Sequence, residues 1–283
     1  MVQIAIIGNG FVGKATALLR NKDVNVIVYD IIPSLCDPIG TTLKDLKSSD
    51  FIFICVPTPM KEDGSCSISY VKTVLEELKK VNITSDAHCI ILRSTVPVGT
   101  CKKLNVNFMP EFLTERNWKN DFRSNKDWIF GLLNPDDIEL KSRLNELFSI
   151  CYKNVSLLME GHLHFVSTNE AEMCKYVRNS FLGVKVSFFN EIEEYCRKNS
   201  LDFENVRKIS VLDKRIGSSH TKVPGIDNKR GFGGICLPKD LNSLIHQFEP
   251  DITPHILKAV KFRNENIDRP EKDWFLDKGR AVV

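Results

Sequence analysis

Residues 3–13 read Gln3-Ile4-Ala5-Ile6-Ile7-Gly8-Asn9-Gly10-Phe11-Val12-Gly13, and this stretch decides the architecture. An apolar run that ends in glycines at GxGxxG spacing predicts a buried strand turning sharply into a helix. Gly8 suits the tight turn, Gly10 lets a pyrophosphate approach the backbone, and Gly13 lets helix and strand pack closely. The helix N-terminus then offers unpaired N–H groups to phosphates. Asp30 closes the next apolar run, seventeen residues after Gly13. A carboxylate there meets the ribose hydroxyls and repels a 2′-phosphate, so the dinucleotide expected is NAD rather than NADP. A glycine turn without a cofactor is the competing reading.

The same texture continues to residue 166. Apolar runs at 4–7, 24–29, 51–56, 88–92, 106–109, 128–132 and 163–166 predict strands, with helical patterns between them, for instance at 69–80 and 136–148. Strands that are apolar almost throughout, separated by helices, imply a parallel sheet covered on both faces. Residues 1–166 therefore read as an α/β, doubly wound, Rossmann-like domain. After residue 167 no strand pattern follows. Residues 168–198 form one helical stripe through Met173, Val177, Phe181, Val184, Phe188, Ile192 and Tyr195, ~45 Å long at 1.5 Å per residue. Shorter helices are expected at 203–211, 240–248 and 254–267, the last opened by Thr253 as cap and Pro254 as first residue. Residues 167–283 thus read as an all-helical domain with one long central helix. The polar tail from Asp268 is expected to dock loosely on the surface.

Composition bounds the function. The 283 residues are 42% hydrophobic and 27% charged, enough for a sizeable core. A net charge of +3 is too small for a nucleic-acid footprint. No apolar run approaches the ~18–20 residues of a membrane span, and the N-terminus enters a strand without a basic region or cleavage site. Nine cysteines are scattered without a Cys-x-x-Cys pair, and six histidines offer only His162-x-His164. No metal site is expected, and reduced thiols in a cytoplasmic protein are the simpler account.

Five segments carry chemistry. Val56-Pro57-Thr58-Pro59 and Ser94-Thr95-Val96-Pro97-Val98-Gly99-Thr100 follow strands, at the carboxyl edge where doubly wound sheets bind ligands. Each alone is also an ordinary turn. Pro110-Glu111-Phe112-Leu113-Thr114-Glu115 follows the next strand and reads as a site or a solvated loop. Lys175 and Asn179 are four apart on the long helix, able to hold an oxyanion or simply to face solvent. In Gly231-Phe232-Gly233-Gly234-Ile235-Cys236-Leu237-Pro238-Lys239-Asp240, three of the fifteen glycines precede one cysteine. That thiol is either a nucleophile or a buried structural cysteine.

In this order the motifs GNGFVG, VPTP, STVPVGT, PEFLTE, NEAEMCKYVRNSFLGVKVSFFNEI, RIG and GFGGICLPKD resemble the UDP-glucose/GDP-mannose dehydrogenase family, from residue 1 to about 265. The resemblance implies oxidation of the C6 alcohol of a nucleotide sugar to a carboxylate, using two NAD. It implies that Cys236 captures the aldehyde, that Lys175 and Asn179 steady the oxyanion, and that Asp240 orders a water or acts as base. Thr95 and Glu111 match water-binding and hydrolytic positions. Phe112, Leu113 and Glu115 match the segment along the substrate, and Gly233 belongs to the loop beside it. Arg215 matches an arginine extended to a sugar nucleotide on the partner subunit, so a homodimer through the helical domain is expected. Full-length members carry a third domain that this chain does not reach, and residues 218–230 are long here and are expected to supply nucleotide contacts instead. A single-oxidation 3-hydroxyacid or 6-phosphogluconate type dehydrogenase and a non-enzymatic nucleotide-sugar or NAD-binding module are the alternatives. Neither needs Cys236 behind its glycines.

Overall fold

The computed structural model describes residues 1–85, 87–154, 158–249 and 251–283. Two compact units divide the chain, residues 1–58 with 68–175 and residues 59–67 with 176–283. The division falls after Lys175, inside the long helix, whereas the change of sequence pattern lies at residue 166.

The first unit is built on seven strands, β1 (Val2–Ile7), β2 (Val24–Tyr29), β3 (Phe51–Ile54), β4 (Cys89–Leu92), β5 (Asn107–Phe108), β6 (Asp127–Leu132) and β7 (His162–Ser167). Their order is β2-β1-β3-β4-β5-β6-β7. Helices α1 (Phe11–Thr16), α2 (Ser69–Lys80), α3 (Thr100–Leu104), α4 (Trp118–Arg123) and α5 (Ile138–Asn154) connect them. Side chains alternate between faces, which explains why the strands look apolar throughout. Ile4, Ile6, Val26, Phe51 and Phe53 pack with Ala15 of α1 and Leu144, Leu147 and Phe148 of α5. Ala5, Ile7, Ile52, Ile54 and Leu92 pack on the other side with Val71, Leu75 and Leu78 of α2. Each such aliphatic or aromatic side chain contributes ~1.5–3 kcal/mol by burial.

One expectation needs correction, because the sheet is not parallel throughout. β5 and β6 pair antiparallel through Phe108 and Gly131, while β6 and β7 are again parallel. An antiparallel neighbour starts at the edge where its predecessor ended, so the connection from 109 to 126 needs no crossover. Strand direction leaves no mark on the hydrophobic pattern when both faces are covered. Helix α5 starts later than expected because Asp137 caps it, accepting the Leu140 N–H at 2.9 Å. It runs on to Asn154 because buried Cys151 extends the stripe of Leu144, Leu147 and Phe148.

α6 (Thr168–Lys198) has the bounds that the sequence predicts. In the second unit, α7 (Phe203–Ser210), α8 (Leu237–Phe248) and α9 (His255–Arg263) follow, and a wider π-type turn continues α9 through Asn264–Asp268. α8 begins three residues early because Pro238 fits a first helical turn. Pro254 is the cap of α9 rather than its first residue, since its ψ of 74° is not helical. The tail does not dock loosely. Trp274, Ala281 and Val282 are buried with Met60, and the Met60 N–H donates to the Ala281 carbonyl at 2.8 Å. By contrast, Val177, Phe181, Phe188 and Tyr195 of α6 are each more than half exposed. Among the described residues no helix is long and apolar enough to cross a membrane.

Candidate active site

The turn from β1 into α1 is shaped by its glycines. A Cβ at Gly8, whose φ is +96°, would stand 2.6 Å from the Cys55 carbonyl oxygen. One at Gly13 would stand 1.9 Å from the Gly8 carbonyl oxygen, while nothing lies within 4 Å at Gly10. Packing therefore demands the outer two, and the middle one leaves bare backbone at the cap of α1, just ahead of Phe11 and Val12. Asp30 turns back to this loop after β2, accepting the Asn9 N–H at 2.7 Å and the Ile32 N–H at 2.9 Å. The Asn9 side chain donates to the Leu35 carbonyl at 2.6 Å. An open backbone at Gly10 and a fixed carboxylate at Asp30 fit a pyrophosphate and a ribose.

The turns after β3 and β4 are tied together. Ser94 Oγ donates to the Val56 carbonyl at 2.6 Å, and beyond Pro57 the Thr58 hydroxyl donates to the Thr95 carbonyl at 2.7 Å. The far end of the second turn is held by Glu172 of α6, fully buried, whose carboxylate accepts the Gly99 N–H at 2.6 Å and the Cys101 N–H at 2.8 Å. Burial pushes the Glu172 carboxyl above its usual pKa, against these two bonds.

Three residues later on α6, Lys175 is 2% exposed, so it is not part of a solvated face. Its ammonium donates to the Glu111 carbonyl at 2.5 Å and to Glu111 Oε1 at 2.8 Å. It also stands 5.3 Å from the centre of the Phe112 ring. Glu111 is buried, and its Oε2 accepts the Leu113 N–H at 2.7 Å. The loop after β5 is thus a buried ion pair at one end, and Glu115 at the other end is exposed.

The second unit holds the remaining reactive residues. Cys236 is half-buried at the cap of α8, and its carbonyl accepts the Asp240 N–H at 2.9 Å. Asp240 is 1% exposed. Its Oδ2 accepts the Asn179 amide at 2.6 Å, and its Oδ1 accepts the Lys239 ammonium at 2.5 Å. Burial opposes charge on Lys239 most strongly, but Asp240, Cys66 and Tyr176 together hold the ammonium above its ordinary pKa, with the Asp240 carboxylate foremost among them. Among the described residues no disulfide joins any of the cysteines. Burial pushes the Cys55 thiol up to about 11 and the Cys89 and Cys151 thiols up to about 12.

Two further sequence-predicted binders, Arg215 and Gly233, also lie in the second unit. Arg215 is exposed, and its guanidinium lies on Asp213 at 2.5 Å. The side of Gly233 where a Cβ would project is closed by the Arg269 guanidinium. In the long 218–230 stretch, Asp227 pairs with Arg269, Lys229 with Asp273 and Glu271, and Arg230 with Glu193 and Asp268.

Comparison with known proteins fits both units. Residues 39–151 match the NAD binding domain of the UDP-glucose/GDP-mannose dehydrogenase family, and residues 169–266 match its central domain. The chain belongs to this family. It is 32% identical to a UDP-glucose 6-dehydrogenase of Rickettsia prowazekii, over 94% of this chain and 68% of that protein. It is 33% identical to one from Pseudomonas aeruginosa, over 77% of this chain and 49% of that protein. A UDP-glucose dehydrogenase structure from the archaeon Pyrobaculum islandicum superposes with a TM-score of 0.77 at 26% identity, covering 94% of this chain and 68% of that one. As a member of the UDP-glucose/GDP-mannose dehydrogenase family the protein is an oxidoreductase, and NAD is its cofactor. The glycine turn at 8–13 lies ahead of the matched stretch, so its fit to the dinucleotide rests on its own geometry.

Sequence reasoning missed Lys239, Glu172 and Arg269 in this dehydrogenase. Lys239 left one signal, since a cation in the first turn of a helix opposes the helix dipole and needs a compensating anion. The partners of Glu172 are distant in sequence, and although Asp273 lies only four residues from Arg269, Asp227 and Gly233 are far from it, so no local pattern marks its place under the glycine loop.

Proposed function

We propose that the protein oxidises the C6 alcohol of a nucleotide sugar, UDP-glucose foremost, to the uronic acid in two successive oxidations through Cys236. The observation that carries this reading is the placement of Cys236 at the cap of α8, with the carboxylate of Asp240 held by Asn179 and Lys239 one turn further on. The positive end of a helix dipole favours an anion at that position. The names of the relatives at 32% and 33% identity support the substrate class.

Bound NAD supplies the hydride acceptor, and the protein supplies position and charge. In the first oxidation the C6 hydroxyl gives up a proton and its carbon a hydride, leaving an aldehyde. The Cys236 thiolate adds to that carbonyl carbon, forming a C–S bond and an oxyanion that takes a proton to become the thiohemiacetal. A second loss of hydride and proton gives the thioester. Water then breaks the C–S bond, releasing the carboxylate and returning the thiol. Lys175 and Asn179 donate to the oxyanions, the term in which fixed donors count most. Glu111 takes the proton of the hydrolytic water that Thr95 holds, and Asp240 fixes Asn179. Phe112, Leu113, Glu115 and Gly233 lie along the substrate, and Arg215 reaches the sugar nucleotide of a partner subunit.

That partner is a second copy of the chain. Val177, Phe181, Phe188 and Tyr195 on α6, with Ile209 and Leu212 at the end of α7, expose an apolar face that a homodimer would cover. The product is an activated uronic acid suited to polysaccharide biosynthesis in the cytoplasm. Incubation with NAD and, in turn, UDP-glucose, a UDP-N-acetylhexosamine and GDP-mannose tests the reading. UDP-glucose should give two NADH per sugar and no free aldehyde. One NADH per sugar, or none with any of the three, contradicts it.

A further inference from the structure

The glycines before Cys236 do not all serve a ligand. A Cβ at Gly231, whose φ is +64°, would stand 2.4 Å from Asn264 Oδ1, and one at Gly233 would stand 2.5 Å from the centre of the Arg269 guanidinium. At Gly234 nothing lies within 4 Å. Two of the three glycines are therefore filled from behind by side chains of the π-type turn after α9.

That turn grips the loop at several points. Asn264 is 1% exposed, and its carboxamide captures both polar groups of Phe232, accepting the N–H at 2.8 Å and donating to the carbonyl at 2.9 Å. Arg269 is 4% exposed and is fixed by Asp227 at 2.6 Å and by both oxygens of Asp273 at 2.8 and 2.7 Å. The Arg269 N–H donates to the Asn264 carbonyl at 2.8 Å, so the two side chains leave the ends of one closed turn. From α6, the buried Asn190 accepts the Gly231 N–H at 3.2 Å. A planar guanidinium can lie flat under a glycine while forking to two carboxylates, and a lysine ammonium cannot.

We propose that Asn264 and Arg269 are positioning residues for Cys236, seating Gly231–Gly233 so that the thiol is presented in one direction. The catalytic consequence rests on the function proposed above; the seating of the thiol does not. Displacement of a reacting group by about 1 Å costs up to ~100-fold in rate, which sets the scale of the effect.

The test uses the full chain with Arg269→Ala, Arg269→Lys and Asn264→Asp. Carbamidomethylation of Cys236 by iodoacetamide is followed peptide by peptide, with Cys174 as internal reference, beside kcat for acid formation, KM for the sugar and NAD affinity. In Arg269→Ala and Asn264→Asp the loop should loosen, so Cys236 labels ~10-fold faster and kcat falls ~10–100-fold, with KM and NAD affinity near wild type. Arg269→Lys should fall between these and wild type, and it decides alone if the other two do not fold. Wild-type labelling and wild-type kcat in a folded Arg269→Ala or Arg269→Lys overturn the proposal. If the wild type oxidises no nucleotide sugar, the functional reading fails, and the labelling difference still decides the seating of the thiol.

Discussion

Asp240 accepts the side-chain amide of Asn179 at 2.6 Å, which fixes the direction in which that carboxamide faces. One N–H of the amide is taken by the carboxylate, which leaves the other to donate, and the carboxylate is neutralised by Lys239. An amide, an acid and an ammonium thus act as one buried unit beside the first turn of α8. Asn179→Asp would bring two buried carboxyl groups within hydrogen-bond distance, and one of them must then stay protonated. We expect kcat to fall by ~100-fold or more, the scale of losing one oxyanion donor, with NAD affinity unchanged. Initial rates and a cofactor titration on the same preparation check this.

Glu172 presents both oxygens to backbone N–H groups of the turn that follows β4. Glu172→Gln would turn an NH2 towards one of those donors, leaving two hydrogen-bond donors facing each other. Stability should drop by ~1–3 kcal/mol. A lower urea midpoint at constant slope is the expected result.

The Asp273 carboxyl, hydrogen-bonded by Arg269, has its pKa lowered from 3.8 to about 2. Because the folded value lies below the unfolded one, its stabilisation is complete above the unfolded value and is lost as pH falls through the folded one. The window is therefore pH 3.8 down to about 2. Asp273→Asn should lower stability at neutral pH and flatten the acid limb in that window, as read by denaturation at a series of pH values.

Asp30 holds its carboxylate on the Asn9 and Ile32 N–H groups at the end of β2. On the proposed reading, its charge is what would repel a 2′-phosphate. Asp30→Ala should reduce the preference for NAD over NADP by ~10-fold or more, the equivalent of 1.4 kcal/mol. Dissociation constants for the two cofactors check it directly.

How much of this was legible in the sequence depends on where the partners lie. The β1–α1 turn could be read because strand, glycines and helix are contiguous, and α6 because its stripe is long and uninterrupted. The reversal at β6 could not, since a strand buried on both faces reads the same in either direction. Glu111, Lys175, Asn179 and Asp240 were found as residues, but not how they pair: Glu111 with Lys175, and Asn179 with Asp240. Those pairs span 64 and 61 residues. The tail looked like a loose polar end because its apolar residues are few. Trp274, Ala281 and Val282 nevertheless close a small core with Met60, more than 200 residues earlier.

The central claim is that Cys236 carries the substrate covalently between the two oxidations. Glu111→Gln keeps the thiol and removes the group assigned to hydrolysis, so the thioester should outlive its formation. The direct measurement is the intact mass of Glu111→Gln protein after incubation with UDP-glucose and NAD, followed by peptide mapping. The account predicts a sugar-nucleotide adduct on Cys236 and acid formation slowed by orders of magnitude in Cys236→Ala. Unmodified Glu111→Gln protein, together with Cys236→Ala making the acid at the wild-type rate, would contradict it.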